Sequence, residues 1–205
     1  MNNKRIYQIS ATILIAGCFV GLTVGTDVYH LVEESIVNTL CLSCLKLDVK
    51  TDTTFTFQTA NGKPHPDFIV ENLTTGVVFL HFSEDACPGC DIMLPVIQNL
   101  FSIQFGKTDM VYEALNYSNA TVHFFYTNID HATQERKDLF PIYDKEHLYG
   151  LPMFTMITLG KNKEGEIKPY YATLYGTLDR STDSERTQLL QEMMAESIQL
   201  WNENT

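Results

Sequence analysis

The sequence predicts an α/β fold, and three observations carry that expectation. The run Val77-Val78-Phe79-Leu80-His81-Phe82 is almost continuously apolar, as befits a central strand buried on both faces. It passes into Cys87-Pro88-Gly89-Cys90, after which Ile92, Met93, Val96, Ile97, Leu100 and Phe101 recur with helical spacing up to Gly106, the expected stop. Further β-prone and helical stretches give the order β-α-β-α-β-β-α, with no internal repeat and no low-complexity sequence.

Three parts are expected along the chain: a membrane or signal segment over 1–25, a membrane-proximal helix over 26–50, and the α/β domain over 51–205. Lys4 and Arg5 precede a mostly apolar run from Ile6 to Val24, and acids follow at Asp27, Glu33 and Glu34, a positive-inside pattern. A helix over that run reaches about 28 Å, close to the roughly 30 Å hydrocarbon thickness of a bilayer. An uncleaved anchor is the favoured reading. Leu14-Ile15-Ala16-Gly17-Cys18 also resembles a bacterial lipobox, which would make Cys18 a lipidated residue, although Phe19-Val20-Gly21-Leu22 continues the apolar run. Simple cleavage is the third route. All three deliver the rest of the chain to the extracytoplasmic side of the membrane.

Val28, Leu31, Val32, Ile36 and Leu40 then recur at spacings of three and four, which suits a short amphipathic helix ending near Cys41-Leu42-Ser43-Cys44. Thr51 to Phe57 reads as a strand, and Asn61-Gly62 with Pro64-His65-Pro66 as a loop. Beyond the central strand and its helix, Thr121 to Ile129 reads as a strand, Glu135 to Leu139 and Lys145 to Tyr149 as short helical pieces, and Met153 to Leu159 as a buried strand. Gly165 turns the chain into Ile167 to Ala172. Thr182 with Glu185 forms a capping-box start for a closing helix whose apolar side is Leu189, Leu190, Met193, Met194, Ile198 and Trp201.

Composition narrows the function. Among 205 residues, 14 Lys+Arg against 25 Asp+Glu leave a net charge of −11, and Lys4-Arg5 and Arg136-Lys137 are too short to make a cationic groove, so nucleic acid is excluded as a partner. An apolar content of 44% is enough for a packed core and excludes a disordered chain. Four of the five cysteines fall into two C-x-x-C pairs, Cys41/Cys44 and Cys87/Cys90, with Cys18 left over. The six histidines show no metal-binding spacing, and the chain has no glycine-rich phosphate loop and no G-x-S-x-G elbow. Asn72-Leu73-Thr74, Asn116-Tyr117-Ser118 and Asn119-Ala120-Thr121 match the glycosylation triplet, a signal that often arises by chance.

Several features together resemble the thioredoxin superfamily over roughly Thr51 to Asn204. They are the apolar strand before Cys87-Pro88-Gly89-Cys90, Pro95 five residues after Cys90, Thr127-Asn128-Ile129-Asp130 closing the next strand, and Gly150-Leu151-Pro152 before another apolar strand. The resemblance implies a central mixed β-sheet flanked by helices. It also implies that the Leu151–Pro152 bond is cis and faces the sulfurs, with the Leu151 main chain open to an extended partner segment.

Cys87 would then lie at a helix N-terminus, where free N–H groups and the positive end of the dipole lower a thiol pKa from about 8.5 towards about 7. It would be the nucleophile, with Cys90, one turn on and more deeply placed, resolving the mixed disulfide. Pro88 suits the first helical position, and Gly89 allows a partner backbone to approach. Thioredoxin itself has Trp before its nucleophile and Gly-Pro between the cysteines, where this chain has Ala86 and Pro-Gly. His81 stands where thioredoxin has a buried acid; it is read either as a proton relay to Cys90 or as a hydrogen-bonded core histidine. Glu84 and Asp85 would raise a nearby thiol pKa and favour a reductant, while Pro88 is met more often in oxidising relatives. The balance leans to a reductase.

Three readings of Cys41 and Cys44 compete. They are a second redox pair relaying electrons from a membrane donor, a structural disulfide, or half of a four-cysteine zinc site; the 42 residues between Cys44 and Cys87 exceed the usual zinc-ribbon spacing. The expected protein is therefore a membrane-tethered, extracytoplasmic thiol–disulfide oxidoreductase. It acts on protein thiols and disulfides and needs no cofactor beyond its own redox-active disulfide and no metal. The alternative is a non-catalytic interaction module of the same fold.

Overall fold

The computed structural model describes residues 53–205. The expected membrane segment over 1–25, the helix over 26–50, and Cys18, Cys41 and Cys44 lie outside the described residues. Among the described residues no helix is long and apolar enough to cross a membrane.

Five strands make one mixed sheet: β1 (Val77–Ser83), β2 (Met110–Tyr117), β3 (Ala120–Asn128), β4 (Met153–Lys161) and β5 (Ile167–Tyr175), in the order β2-β3-β1-β4-β5. β1 runs parallel to β3, with Val77 opposite Val122 and Ser83 opposite Asn128; the other neighbours are antiparallel. All seven residues of β1 are buried, which explains why only His81 and Ser83 interrupt its apolar sequence.

Helices cover both faces: α1 (Asp67–Asn72), α2 (Pro88–Phe101), α3 (Gln134–Lys137), α4 (Phe140–Tyr143) and α5 (Asp183–Asn204). Successive β1 side chains alternate between two cores. Val77 and Phe79 pack with Met93 and Ile97 of α2 and Leu190 and Met194 of α5. Val78, Leu80 and Phe82 pack on the other face with Ile69, Phe140 and Tyr143, in the cluster that also holds Cys87 and Cys90. Burial of each such side chain contributes about 1.5–3 kcal/mol before entropy is counted.

α5 starts with the capping box: the Glu185 N–H donates to Thr182 Oγ1 at 3.3 Å, and the Thr182 N–H to the Glu185 carboxylate at 3.0 Å. It is tied to the rest by Thr158 Oγ1 donating to the Ser197 carbonyl at 2.6 Å and Trp201 Nε1 donating to the Leu73 carbonyl at 2.7 Å.

Six elements differ from the sequence reading, one of them α4, a turn of helix where the sequence reading assigns nothing. The strand expected over Thr51 to Phe57 is reduced, among the described residues, to one antiparallel bridge between Thr56 and Tyr171. The Ala60 N–H then bonds to the Ile142 carbonyl, and the chain leaves the β5 edge. The expected loop after Pro66 contains α1. β2 is an additional edge strand, and its outward residues lack an apolar face to betray it; Ser118 (φ 49°) and Asn119 (φ 66°) make the two-residue turn into β3. α2 stops at Ser102, in the left-handed region at φ 55°, rather than at Gly106, because the Ile103 N–H closes on the Gln98 carbonyl. Lys145 to Tyr149 is not helical: the Leu148 and Tyr149 N–H groups donate to the Asp144 carboxylate at 3.2 and 2.9 Å instead of to helical carbonyls.

Candidate active site

β1 delivers the chain to the turn that opens α2. Cys87 is the N-cap, in extended conformation, and its Sγ accepts a hydrogen bond from the Cys90 N–H at 3.1 Å. Pro88 occupies the first turn, where its missing N–H leaves no helical bond unmade. Cys87 and Cys90 form a disulfide with their Cα atoms 5.2 Å apart. The two residues are equally enclosed, 1% and 2% exposed, so Cys90 is not the more deeply placed of the two. The cluster of Phe82, Phe140, Leu151 and Met153 packs around both.

The Leu151–Pro152 peptide bond is cis. A Cβ added at Gly89 would stand 3.1 Å from Pro152 Cδ and 3.8 Å from the Leu151 carbonyl oxygen. What Gly89 admits in this state is therefore the chain's own proline segment rather than a partner backbone. Leu151 itself is buried, in contrast to the open main chain that the resemblance implies, because its side chain joins the apolar cluster. Its N–H and C=O nonetheless make no hydrogen bond among the described residues.

His81 points from β1 to the face that carries Phe79, between Tyr126 and Phe154, whose rings lie 4.9 and 4.7 Å away centroid to centroid. It is fully buried, and neither ring nitrogen has a hydrogen-bond partner, which overturns the hydrogen-bonded core reading. The aromatic neighbours leave no acceptor or donor facing it. Burial pushes its pKa down to about 3, so the ring is neutral and a weak proton acceptor.

A polar network that the sequence reading missed braces the turn before Cys87. Asn128 Nδ2 donates to Asp85 Oδ1 at 2.9 Å and to the Lys107 carbonyl at 2.9 Å; His131 Nε2 lies 2.9 Å from Asp85 Oδ2; and the Asp85 N–H donates to Asp130 at 2.8 Å. Lys107 Nζ joins both sides of the turn by donating to the Asp85 carbonyl at 2.6 Å and to Asp91 Oδ1 at 2.5 Å. The Asn128 hydrogen bond, and then that of His131, holds the Asp85 carboxyl below its ordinary range. Burial raises Glu84, with Asp130 adding to the shift and Lys107 opposing it. The Asp85 charge that favoured a reductant is thus engaged by its own neighbours. The usable signal was Asn128, a buried amide closing a strand.

Among the described residues no group of three or more His, Cys, Asp or Glu side chains is placed to hold a metal ion. Within the oxidised pair neither sulfur is a free thiolate, the form a zinc site requires.

A mixed sheet ordered β2-β3-β1-β4-β5, a C-x-x-C disulfide capping the helix after its central strand, and a cis-proline against that turn decide the architecture. The domain has a thioredoxin-like fold. No family model matches the sequence, and no curated protein matches it. Among solved structures, the thioredoxin-like domain is similar to oxidised mitochondrial thioredoxin 3 from Saccharomyces cerevisiae, over 63% of this chain and 87% of that one, at 14% identity and a TM-score of 0.35. It is also similar to oxidised thioredoxin O2 from Arabidopsis thaliana (62% and 85%, 14% identity, TM-score 0.36) and to oxidised thioredoxin from Plasmodium falciparum (64% and 93%, 17% identity, TM-score 0.34).

Proposed function

We propose that the protein is a thiol–disulfide oxidoreductase acting on protein partners, with Cys87 as nucleophile and Cys90 as resolving cysteine. The observation that carries this is Cys87 Sγ at the N-terminus of α2, accepting the Cys90 N–H: in the reduced state the same donor and the helix dipole stabilise a thiolate.

In the reducing direction the Cys87 thiolate attacks a partner disulfide, forming one S–S bond as the partner's breaks and a partner thiolate leaves. The deprotonated Cys90 sulfur then attacks Cys87, giving the Cys87–Cys90 disulfide and a second partner thiolate. Two electrons pass to the partner, and a dithiol donor must return them. The unpaired Leu151 main chain supports docking of the partner as an added strand once the covering side chains part. We place the domain on the extracytoplasmic side behind an anchor, with Cys41/Cys44 or a membrane donor supplying the electrons and no separate cofactor.

Insulin-disulfide reduction tests the exchange. Wild type is expected to turn over, Cys87→Ser to lose activity, and Cys90→Ser to trap a mixed disulfide through Cys87. The Cys87/Cys90 reduction potential decides the direction, a value near −270 mV matching a reductase and one near −120 mV an oxidase. A relay through His81 would shift the pH–rate profile of His81→Leu. Protease protection of an epitope on the domain in intact cells tests its side of the membrane.

The near-complete burial of the disulfide favours a second reading, a non-catalytic module with a fixed disulfide. A Cys87–Cys90 bond that resists reduction by dithiothreitol in the folded protein, with no turnover, would establish it.

A further inference from the structure

The segment between α4 and the cis-proline is built against backbone preference. His147 and Tyr149 both sit in the left-handed region, at φ 53° and 50°, although neither is glycine. Such residues are uncommon and persist where the surroundings over-determine them. Here the surroundings are one buried carboxylate. Asp144 Oδ1 accepts from the Tyr175 hydroxyl at 2.9 Å and from the Leu148 N–H at 3.2 Å, while Oδ2 accepts from the Tyr149 N–H at 2.9 Å. Tyr175 Oη also accepts the Glu146 N–H at 3.2 Å.

The result of this bracing is the display of an apolar side chain to solvent. Tyr149 is 74% exposed, and Leu148 beside it is exposed as well. A lone exposed aromatic is ordinary on a protein surface. This one is distinguished by the strained backbone, by the buried acid that holds it, and by its place in the chain. Leu151 is two residues away, so their Cα atoms lie within about 7 Å of each other. The Tyr149 ring also stacks on Phe140, centroids 6.3 Å apart, and Phe140 packs on Phe82 at 5.5 Å, in the cluster that encloses the disulfide.

We propose that Tyr149 is a specificity-determining residue, a platform for an apolar or aromatic side chain flanking the reactive cysteine of the partner polypeptide. The inference rests on the exchange reading above and names its substrate class: a polypeptide disulfide with an apolar neighbour, not a small disulfide. A partner segment pairing with the Leu151 main chain passes Tyr149 within one or two residues, and an aromatic ring is among the largest apolar surfaces a single residue can offer for burial. The ring touches no reacting atom; its contribution is to binding, so its loss should appear in KM.

The test measures kcat and KM for peptide disulfides that differ only in the residue beside cysteine (Phe, Leu, Ser or Lys), with bis(2-hydroxyethyl) disulfide as a small linear disulfide lacking any flank. Wild type is expected to favour Phe and Leu over Ser and Lys by about tenfold, through KM. Tyr149→Ala should abolish that preference, Tyr149→Phe should keep it, and all three proteins should reduce bis(2-hydroxyethyl) disulfide within about twofold of one another. Persistence of the preference in Tyr149→Ala overturns the proposal. So does a fall in its rate with bis(2-hydroxyethyl) disulfide as large as with the Phe peptide, since that marks a structural role. Wild-type turnover of the small disulfide without any flank preference overturns this proposal and leaves the exchange reading standing; no turnover of any disulfide overturns both.

Discussion

On one side of the Cys87 turn, Asp85, Asn128, Lys107 and His131 form a clasp of hydrogen bonds and charges that is rooted on the buried Asn128 amide and open to water at Asp85 and His131. On the other, Phe82, Phe140 and Leu151 enclose the disulfide, and a single buried carboxylate, Asp144, does the polar work. The two sides hold the same turn by different means. Exposed pairs are screened and individually weak, so the clasp gains from redundancy, several bonds converging on Asp85. The apolar side has little redundancy, because an enclosed donor that loses its acceptor has no water to replace it. The comparison teaches where each side is vulnerable: the polar one tolerates losses, the apolar one does not.

The largest effect should come from the cysteines where the two sides meet. Cys87→Ser is expected to lower insulin reduction by on the order of a thousandfold or more, with residual activity no higher than that of the Cys87→Ser/Cys90→Ser double variant. Equal rates for wild type and Cys87→Ser would remove the reaction centre from this turn.

Next comes the apolar side. Asp144→Ala leaves the Leu148 N–H, the Tyr149 N–H and the Tyr175 hydroxyl without their acceptor, and at roughly 1 kcal/mol each should cost about 3 kcal/mol, read as a lower urea midpoint at unchanged slope. A loss under about 1 kcal/mol would mean that the segment is not held by Asp144.

His81 sharpens the comparison from inside the sheet. Its folded pKa, near 3, lies below its ordinary 6.5, so the unfolded chain binds the extra proton between those values. Stability must therefore fall as pH drops from 6.5 towards 3, by up to about 1.4 kcal/mol per pH unit from this group. His81→Leu also removes two unsatisfied buried nitrogens, so it should be at least as stable as wild type at pH 7 and show a flatter loss in acid. Parallel pH profiles for the two proteins would contradict the buried, neutral assignment.

The smallest effect belongs to the exposed clasp. His131→Ala is expected to change the insulin-reduction rate by less than about twofold, because Asn128 and Lys107 still hold Asp85 and its carbonyl. A tenfold loss would show that the clasp has no redundancy after all.

What the sequence revealed follows from how strongly burial constrains each residue. β1, β4, α2 and α5 were legible because each buries a patterned apolar face, and the C-x-x-C turn because Pro88 and Gly89 fit a strand-to-helix junction. β2 was hidden since its place on the sheet depends on backbone pairing to β3, and its outward side chains carry no period. The Asp144 segment misread as helix shows a carboxylate outcompeting main-chain acceptors, which composition alone does not announce. The clasp joins Asp85 to residues 43 and 46 positions away, and only the parallel pairing of β1 with β3 brings them together.

The bond from the Trp201 indole to the Leu73 carbonyl links residues 128 positions apart. During synthesis, β1 to β5 can leave the ribosome before α5, yet Phe154, Met156 and Leu174 stay uncovered until Leu190 and Met194 arrive. A nascent chain stalled before Leu190 thus presents a nearly complete sheet with part of one apolar face, that beside α2, still bare, the kind of surface that holdase chaperones bind and that aggregates when they are absent. Closure of this core therefore waits for α5.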